Sequence, residues 1–381
     1  MLGLYLHIPF CAAICNYCNF NRGLFDGALK ARYVDALVAE IAAAAEPETA
    51  IDTIYFGGGT PSLLSDADVT VILAACRDAF DLADNHEITL EANPETITRA
   101  LLEGYRAAGV NRLSFGVQSF NDGELKRLGR LHSADAARRA LAAARDAGFN
   151  NVSLDLMMWL PEQHVDQWLA SINALIAAGP EHASLYLLEV YPNAPLKEDM
   201  ARAGWSLAPD DDAATMYLEA LERLEAAGYE QYEISNVARP GWRARHNVKY
   251  WQDGEWLGFG CGAHSTRRNI RWRNVAATMD YVQRVADGRP VIADRRELSP
   301  DERVEDALFL GLRLTSGLDL RAIRDRFGFD VWRRHGAELE RFVGAGLLIH
   351  EPGRRLALTR SGMLMANEVM AVFVGTDSTV K

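Results

Sequence analysis

Three of the chain's five cysteines, Cys11, Cys15 and Cys18, fall within eight residues of one another near the N-terminus, in the stretch Tyr5-Leu6-His7-Ile8-Pro9-Phe10-Cys11-Ala12-Ala13-Ile14-Cys15-Asn16-Tyr17-Cys18-Asn19-Phe20. An odd set of thiols this close cannot pair off as disulfides, so the stretch reads as a metal nest. Ligand count separates the metals. Zinc prefers four closed protein ligands, and a Cys3His site completed by His7 would meet that rule. A four-iron cluster usually takes one cysteine per iron, so three cysteines leave one iron open to a chelating outside ligand.

The spacing Cys11-x3-Cys15-x2-Cys18 with an aromatic at Tyr17 resembles the signature of radical S-adenosylmethionine (SAM) proteins. That resemblance implies a [4Fe-4S] cluster whose open iron is chelated by the amino and carboxylate groups of SAM. One electron from the cluster then cleaves the sulfonium to a 5′-deoxyadenosyl radical. The wider Tyr-x-His-x-Pro-Phe-Cys context is similar to the oxygen-independent coproporphyrinogen III oxidase family, which includes true oxidases and the heme chaperones called HemW.

The chain's 381 residues suggest about two to three domains. A net charge of −12 argues against a nucleic-acid partner, because phosphate neutralisation needs a basic face. No apolar run reaches the roughly 18 residues of a membrane span, and Met1-Leu2-Gly3 lacks the basic start of a signal peptide. Clustered thiols without an export signal suit a reducing cytoplasm.

Strand and helix periodicities alternate through the first half, as in βα units around a parallel sheet. Strands are expected at 3–8, 53–56, 87–91, 112–117, 151–157 and 183–190. Helices are expected at 29–45, 65–80, 98–109, 133–148 and 165–178, with Ser65 and Ser133 as N-caps and Gly109 and Gly148 as stops. The expected fold is α/β, a partial (β/α)6 radical SAM barrel over residues 1–205. A linking segment over 206–298 opens with a helix at 210–228. A small winged-helix-like C-terminal domain spans 299–381, with three helices (301–314, 319–327, 331–345), a hairpin and a closing helix from Ser361. The acidic chain and the family resemblance make that domain a lid over the barrel mouth rather than a DNA-binding wing. Cys76, within a helical run, is expected as a buried small hydrophobe.

In such a barrel the chemistry gathers at the carboxyl ends of the strands. The polar clusters fall there: the cysteine loop after strand one, Gly57-Gly58-Gly59-Thr60 after strand two, and Glu91 ending strand three. Gln118 follows strand four with Arg130 just beyond, and Asp155 lies on strand five. The resemblance implies SAM contacts at Tyr5, Tyr17, Gly58, Gly59, Thr60, Glu91, Gln118, Arg130 and Asp155. One departure is Trp159, which stands where the family usually has the glycine of a Gly-Leu-Pro turn.

His246-Asn247-Val248-Lys249-Tyr250-Trp251 is similar to an element proposed to hold heme in the HemW group. It makes His246 the candidate axial ligand and Tyr250 and Trp251 ring contacts, because imidazole and flat aromatics suit an iron porphyrin. His264, beside Gly260, Gly262 and Ala263, competes for the ligand role. The oxidases carry a fourth cysteine two residues past the third and a longer segment ahead of it. Here that position is Phe20 and ten residues precede Cys11. The resemblance therefore favours a heme chaperone, with heme, an acceptor protein in solution or in a membrane, and an electron donor for the cluster as partners. The alternatives are the oxidase and, more distantly, a zinc-stabilised binding protein.

Overall fold

The computed structural model describes residues 1–192 and 194–374. Six strands, β1 (Leu2–Ile8), β2 (Glu46–Gly58), β3 (Phe80–Ala92), β4 (Arg112–Gln118), β5 (Val152–Met158) and β6 (His182–Leu187), pair in parallel in chain order. The crossovers are helices α1 (Gly27–Ala43), α2 (Asp66–Ala79), α3 (Arg99–Ala108), α4 (Ala134–Asp146) and α5 (Val165–Ala178). Their starts follow local chemistry. Ser65 forms a capping box with Asp68, and the Ser133 side chain accepts from Ala136 N. Gly109 ends α3 at φ +114°, a conformation that costs glycine little.

Each strand has two faces, and their residues decide the layering. One face, including Leu4, Leu6, Ile54, Phe56, Leu90 and Phe115, is fully buried against the helices. Each such Leu or Phe contributes about 1.5–3 kcal/mol. Cys76 on α2 joins this core with no exposed surface, and burial pushes its thiol up to about 12. The other face is polar or glycine. Tyr5 lies opposite Tyr55, Tyr55 opposite Thr89, and Thr89 opposite Arg112. In the next layer Glu91, Ser114, Ser153 and His182 stand side by side. The concave side of the sheet is thus a polar lumen.

Residues 206–298, expected as a link, are built into the same sheet. After α6 (Asp210–Ala226), β7 (Glu230–Glu233) and β8 (Asn236–Ala238) extend it antiparallel beyond β6. Helix α7 (Arg245–Trp251) then leads to β9 (Trp256–Phe259), which pairs parallel to β1 on the other side. Strands β10 (His264–Arg267), β11 (Ile270–Asn274) and β12 (Ile292–Glu297) continue outward, giving twelve strands in one open sheet. The barrel is partial because its two ends do not pair.

The C-terminal unit has α8 (Pro300–Gly311), α9 (Leu320–Phe327), α10 (Val331–Gly344) and a three-stranded sheet of Leu318–Asp319, Arg355–Leu358 and Leu348–Glu351. Its final helices are short, at Arg360–Leu364 and Ala366–Met370, with Met365 between them, and Gly362 packs on the Leu347 backbone. The expected domain end, 375–381, lies outside the described residues. The expected lid over the barrel mouth is not what the contacts give. Arg313 bonds Glu233 and covers Trp251, Arg326 pairs with Asp253, and Arg360 pairs with Glu225. The unit packs beside α6, β7 and α7. Among the described residues no helix is long and apolar enough to cross a membrane.

Candidate functional site

The cysteine loop is held to the carboxyl ends of β1 and β2 by backbone. Gly59 N donates to Ile8 O (2.8 Å) and Thr60 N to Phe10 O (2.7 Å). A Cβ at Gly59 would stand 2.7 Å from Phe10 O and 2.9 Å from Ile8 O, so only glycine admits this approach. Gly58 has φ +115°, and a Cβ there would strike the His7 ring at 2.6 Å. The glycine run therefore seats the loop itself, a role that spacing did not distinguish from ligand approach.

All three thiols are free, with Cys11 buried and Cys15 and Cys18 half-buried. Burial raises the Cys11 thiol and Thr60 beside it offsets part of that, while nearby Cys18 and Cys15 push it further up. Among the described residues no three His, Cys, Asp or Glu side chains converge as a single-ion site. His7 is engaged elsewhere. Its Nε2 lies 2.8 Å from Asn21 O, so that nitrogen carries the proton, and its Nδ1 accepts from Tyr5 Oη at 3.1 Å. Both His7 nitrogens are thus engaged in this arrangement, and zinc ligation by Nδ1 would require the Tyr5 hydroxyl to turn away.

Arg130 reaches back over the loop: Nη1 lies 3.4 Å from Cys15 Sγ, while Nη2 donates to Gly116 O (2.7 Å) and Asn93 Oδ1 (2.8 Å). Tyr17 stands against the same guanidinium and Cys15. Asn93 in turn donates to Thr60 Oγ1 (3.2 Å). Tyr17, Thr60, Arg130 and the cysteines thus form one contact set at the strand ends.

Deeper in the lumen, Tyr55 Oη donates to Glu91 Oε1 (2.7 Å) and Gly58 N to Oε2 (3.3 Å). Burial raises the Glu91 carboxyl to about 7, with the Asp155 charge adding to the shift. Burial likewise raises Asp155, against hydrogen bonds from Ser184, Ser114 and Ser153 and the nearby Arg112 charge. Among the described residues neither acid forms a salt bridge. Gln118 holds φ +66°, and its buried Oε1 has no hydrogen-bond partner among the described residues. A strained backbone aiming an unpaired acceptor is the kind of feature found at ligand sites. Tyr186, with 42% of its surface open, marks the lumen as accessible from this end. Two half-buried carboxyls, an unpaired amide oxygen and tyrosine hydroxyls fit a ligand bearing an ammonium and hydroxyls.

Trp159 keeps the left-handed backbone that a glycine would take, at φ +61°, and its indole N–H donates to Ala208 O (2.7 Å). The turn survives the substitution because that bond and partial burial offset a strain of about 1–2 kcal/mol.

The heme candidates lie apart from this set, at the amino end of the lumen. His246 is almost fully buried, with Nδ1 2.9 Å from Thr53 Oγ1 and Nε2 2.7 Å from Tyr250 Oη. Burial drives its imidazole down to about 3, so it is neutral. Both nitrogens are occupied in this arrangement. Tyr250 packs edge-on against Trp256, and Trp251 lies under Arg313, 4.3 Å from the ring centre. His264 is exposed at the start of β10, and its ring forms no hydrogen bond among the described residues. The two sets are joined by Tyr55, which bonds Glu91 and stacks on His246 at 5.2 Å. Tyr55, Asn93 and the serines around Asp155 were not expected from motifs, though period-two alternation along each strand could have found them.

The Radical SAM superfamily profile matches residues 5–175 and the HemN C-terminal domain profile matches 298–365. A radical SAM domain implies a [4Fe-4S] cluster and SAM. The chain is 35% identical over 380 residues to a heme chaperone HemW of Bacillus subtilis (strain 168), covering 98% of this chain and 100% of that protein. It is 37% identical over 382 residues to a heme chaperone HemW of Mycobacterium tuberculosis (strain CDC 1551 / Oshkosh), covering 98% and 95%. Among solved structures, coproporphyrinogen III oxidase (HemN) from Escherichia coli superposes with a TM-score of 0.87 over 98% of this chain and 89% of that one, at 24% identity. That likeness shows a shared fold.

Proposed function

The chain belongs to the heme chaperone HemW family of radical SAM proteins, and from that membership we propose that it binds heme and delivers it to an acceptor protein. The observation that carries this reading is the end-to-end likeness to proteins named heme chaperones. Phe20, where the oxidases of the wider family carry a fourth cysteine, supports the chaperone over the oxidase.

In this reading Cys11, Cys15 and Cys18 hold a [4Fe-4S] cluster through their thiolates. When bound, the cluster supplies the single electron that SAM chemistry requires. Arg130 keeps a positive charge on Cys15 and orders Asn93, and through it Thr60. Glu91, Asp155, Gln118 and Tyr5 line the lumen where the ammonium and hydroxyl groups of SAM need partners. Tyr17 walls the same space beside the cysteines, and Gly58 and Gly59 keep the loop against β2.

For heme, His246, Tyr250 and Trp251 remain the proposed contacts, with His264 as the exposed competitor. Ligation by His246 Nε2 requires the Tyr250 hydroxyl to turn away. Heme titration of wild type, His246→Ala and His264→Ala, paired with anaerobic incubation with coproporphyrinogen III, SAM and a reductant, tests the reading. The expected result is stoichiometric heme binding weakened by one of the two substitutions and no protoporphyrinogen. Protoporphyrinogen formation without heme binding would return the chain to the oxidase reading.

A further inference from the structure

We propose that Tyr5, Tyr55, His246, Tyr250 and Trp256 form an aromatic relay that passes electrons from the protein surface into the lumen and there discharges a stray carbon-centred radical. The inference rests on the radical SAM reading only for the source of that radical. It goes beyond that reading to a redox path through the chain's own side chains.

The five rings stand in one unbroken row. Tyr5 stacks on Tyr55 with ring centres 6.3 Å apart, and Tyr55 stacks on His246 at 5.2 Å. His246 meets Tyr250 edge-on at 5.0 Å, and Tyr250 meets Trp256 edge-on at 4.6 Å. Glycines on the same strands make the room. A Cβ at Gly57 would stand 2.9 Å from the Tyr55 ring and 3.0 Å from the Tyr5 ring, and one at Gly3 would stand 3.1 Å from the His246 ring. The row begins on β1 just ahead of the cysteine loop, where half-buried Tyr5 faces the lumen. It ends at part-exposed Trp256, whose indole N–H donates to His264 O (2.9 Å). Electron transfer weakens steeply with distance, so a row of short steps carries an electron that one long step would not.

Stacking alone would be ordinary packing. The hydroxyls add what packing does not need, because each phenol in the row is bonded to a base. Tyr5 Oη donates to His7 Nδ1 (3.1 Å), Tyr55 Oη to Glu91 Oε1 (2.7 Å) and Tyr250 Oη to His246 Nε2 (2.7 Å). Tyr250 has no other acceptor among the described residues, so Nε2 takes the bond and Nδ1–H donates to Thr53 Oγ1 (2.9 Å). Tyr33, Tyr105, Tyr217 and Tyr229 instead donate to backbone carbonyls, which cannot take a proton. Tyr232 and Tyr281 also face a base, but neither leads through redox-active rings to the surface. Burial holds the three phenols of the row protonated and His246 neutral. A buried phenol gives up an electron readily only when its proton leaves with it, since the cation left behind would have no water to solvate it. The three bases provide that exit.

The steps balance. The radical takes a hydrogen atom from Tyr5, so its C–H bond forms, the Tyr5 O–H bond breaks and Tyr5 becomes a neutral phenoxyl. Tyr55 then reduces Tyr5 by one electron and passes its own proton to Glu91, while Tyr5 regains a proton from lumen water. Tyr250 reduces Tyr55 across His246, its proton moving to Nε2 as Glu91 returns the one it held. Trp256 reduces Tyr250, and His246 returns its proton. A thiol reductant in solution restores Trp256 and is itself oxidised by one electron. The sum is one radical, one proton from water and one electron from the thiol, giving one C–H bond.

The test places 3-aminotyrosine, which is oxidised more easily than tyrosine or tryptophan and so traps the hole, at position 55, and reads its radical by EPR. In protein without cluster, flash-generated tris(bipyridine)ruthenium(III) oxidises surface residues and is too bulky to enter the lumen. The trapped radical is expected to form, and to be lost when Trp256→Phe or Tyr250→Phe is added. Circular dichroism checks that each variant is folded, and part-exposed Trp256→Phe decides alone if Tyr250→Phe is not. In a second arm the cluster-loaded protein receives SAM and one equivalent of dithionite. The same radical is expected beside 5′-deoxyadenosine, with its yield lowered by Tyr5→Phe. If no SAM were cleaved, the radical source named here would fail, while the flash arm still judged the path. No trapped radical after the flash, a signal undiminished by Trp256→Phe, or 5′-deoxyadenosine formed without a trapped radical would each overturn the proposal.

Discussion

Substituting Gly59 by alanine tests the role given to the glycine run. The added Cβ would lie 2.7 Å from Phe10 O, 2.9 Å from Ile8 O and 3.0 Å from Phe10 N. All three are backbone atoms of the strand that leads into Cys11, so no side chain can swing away. Relief requires β1 and β2 to separate at the point where Gly59 N and Thr60 N hold the loop. Overpacking of this kind costs about 1–3 kcal/mol. At about 2.1 cal/mol/K per residue a chain of 381 residues loses about 1.3 °C per kcal/mol, so the melting temperature should fall by about 1–4 °C. Displacement of Cys11 should also lower iron uptake on anaerobic reconstitution. Gly23→Ala is the control, since it lies in the same loop and a Cβ there meets nothing within 4 Å. Thermal unfolding and iron analysis of both variants decide the point. Equal behaviour of Gly59→Ala and Gly23→Ala would refute the claim that this glycine seats the cysteine loop.

Glu91, raised to about 7 by burial, binds its proton more tightly in the folded chain than in the unfolded one, where glutamate titrates near about 4.3. Its contribution to stability is therefore full at acid pH and is lost as pH rises through about 7; melting curves of Glu91→Gln should be flatter than wild type across that window, and parallel curves would contradict the assignment. Arg130→Ala strips the donor from Gly116 O and Asn93 Oδ1, so chemical denaturation should show a loss of about 1–3 kcal/mol, with iron retention reduced as well. Asp155→Ala should weaken SAM binding to the cluster-loaded protein by about 1–3 kcal/mol in calorimetry, and unchanged affinity would remove that residue from the site.

The six parallel strands and five crossover helices were legible because their signals are local: apolar periodicity, serine caps and glycine stops. The sixth strand stops at Leu187 rather than 190 because Leu188 turns into a second small apolar cluster with Leu128 and Leu160. The strands β7 to β12 were less legible, because they are short and are held in the sheet by partners far away in the chain. Trp256 on β9, for instance, pairs with Gly3. Motif resemblance located the cysteine loop, Glu91, Gln118, Arg130 and Asp155. It could not reveal that His246 Nδ1 pairs with Thr53, since side-chain pairing across 193 residues leaves no mark in the local sequence, whereas the Nε2 contact with Tyr250 lies within the i, i+4 spacing of one helix. Nor could it assign the C-terminal unit to the flank beside α7, because that position depends on single contacts such as Arg313 on Trp251.

The central claim is that Cys11, Cys15 and Cys18 bind a four-iron cluster with one iron left open for SAM. Mössbauer spectra of protein reconstituted anaerobically with 57Fe, recorded with and without SAM, address it directly. The account predicts a [4Fe-4S] spectrum in which one iron site becomes distinct when SAM is added, and loss of the cluster when any of the three cysteines is replaced by serine. Stoichiometric zinc with no iron uptake, or an iron spectrum indifferent to SAM, would contradict it.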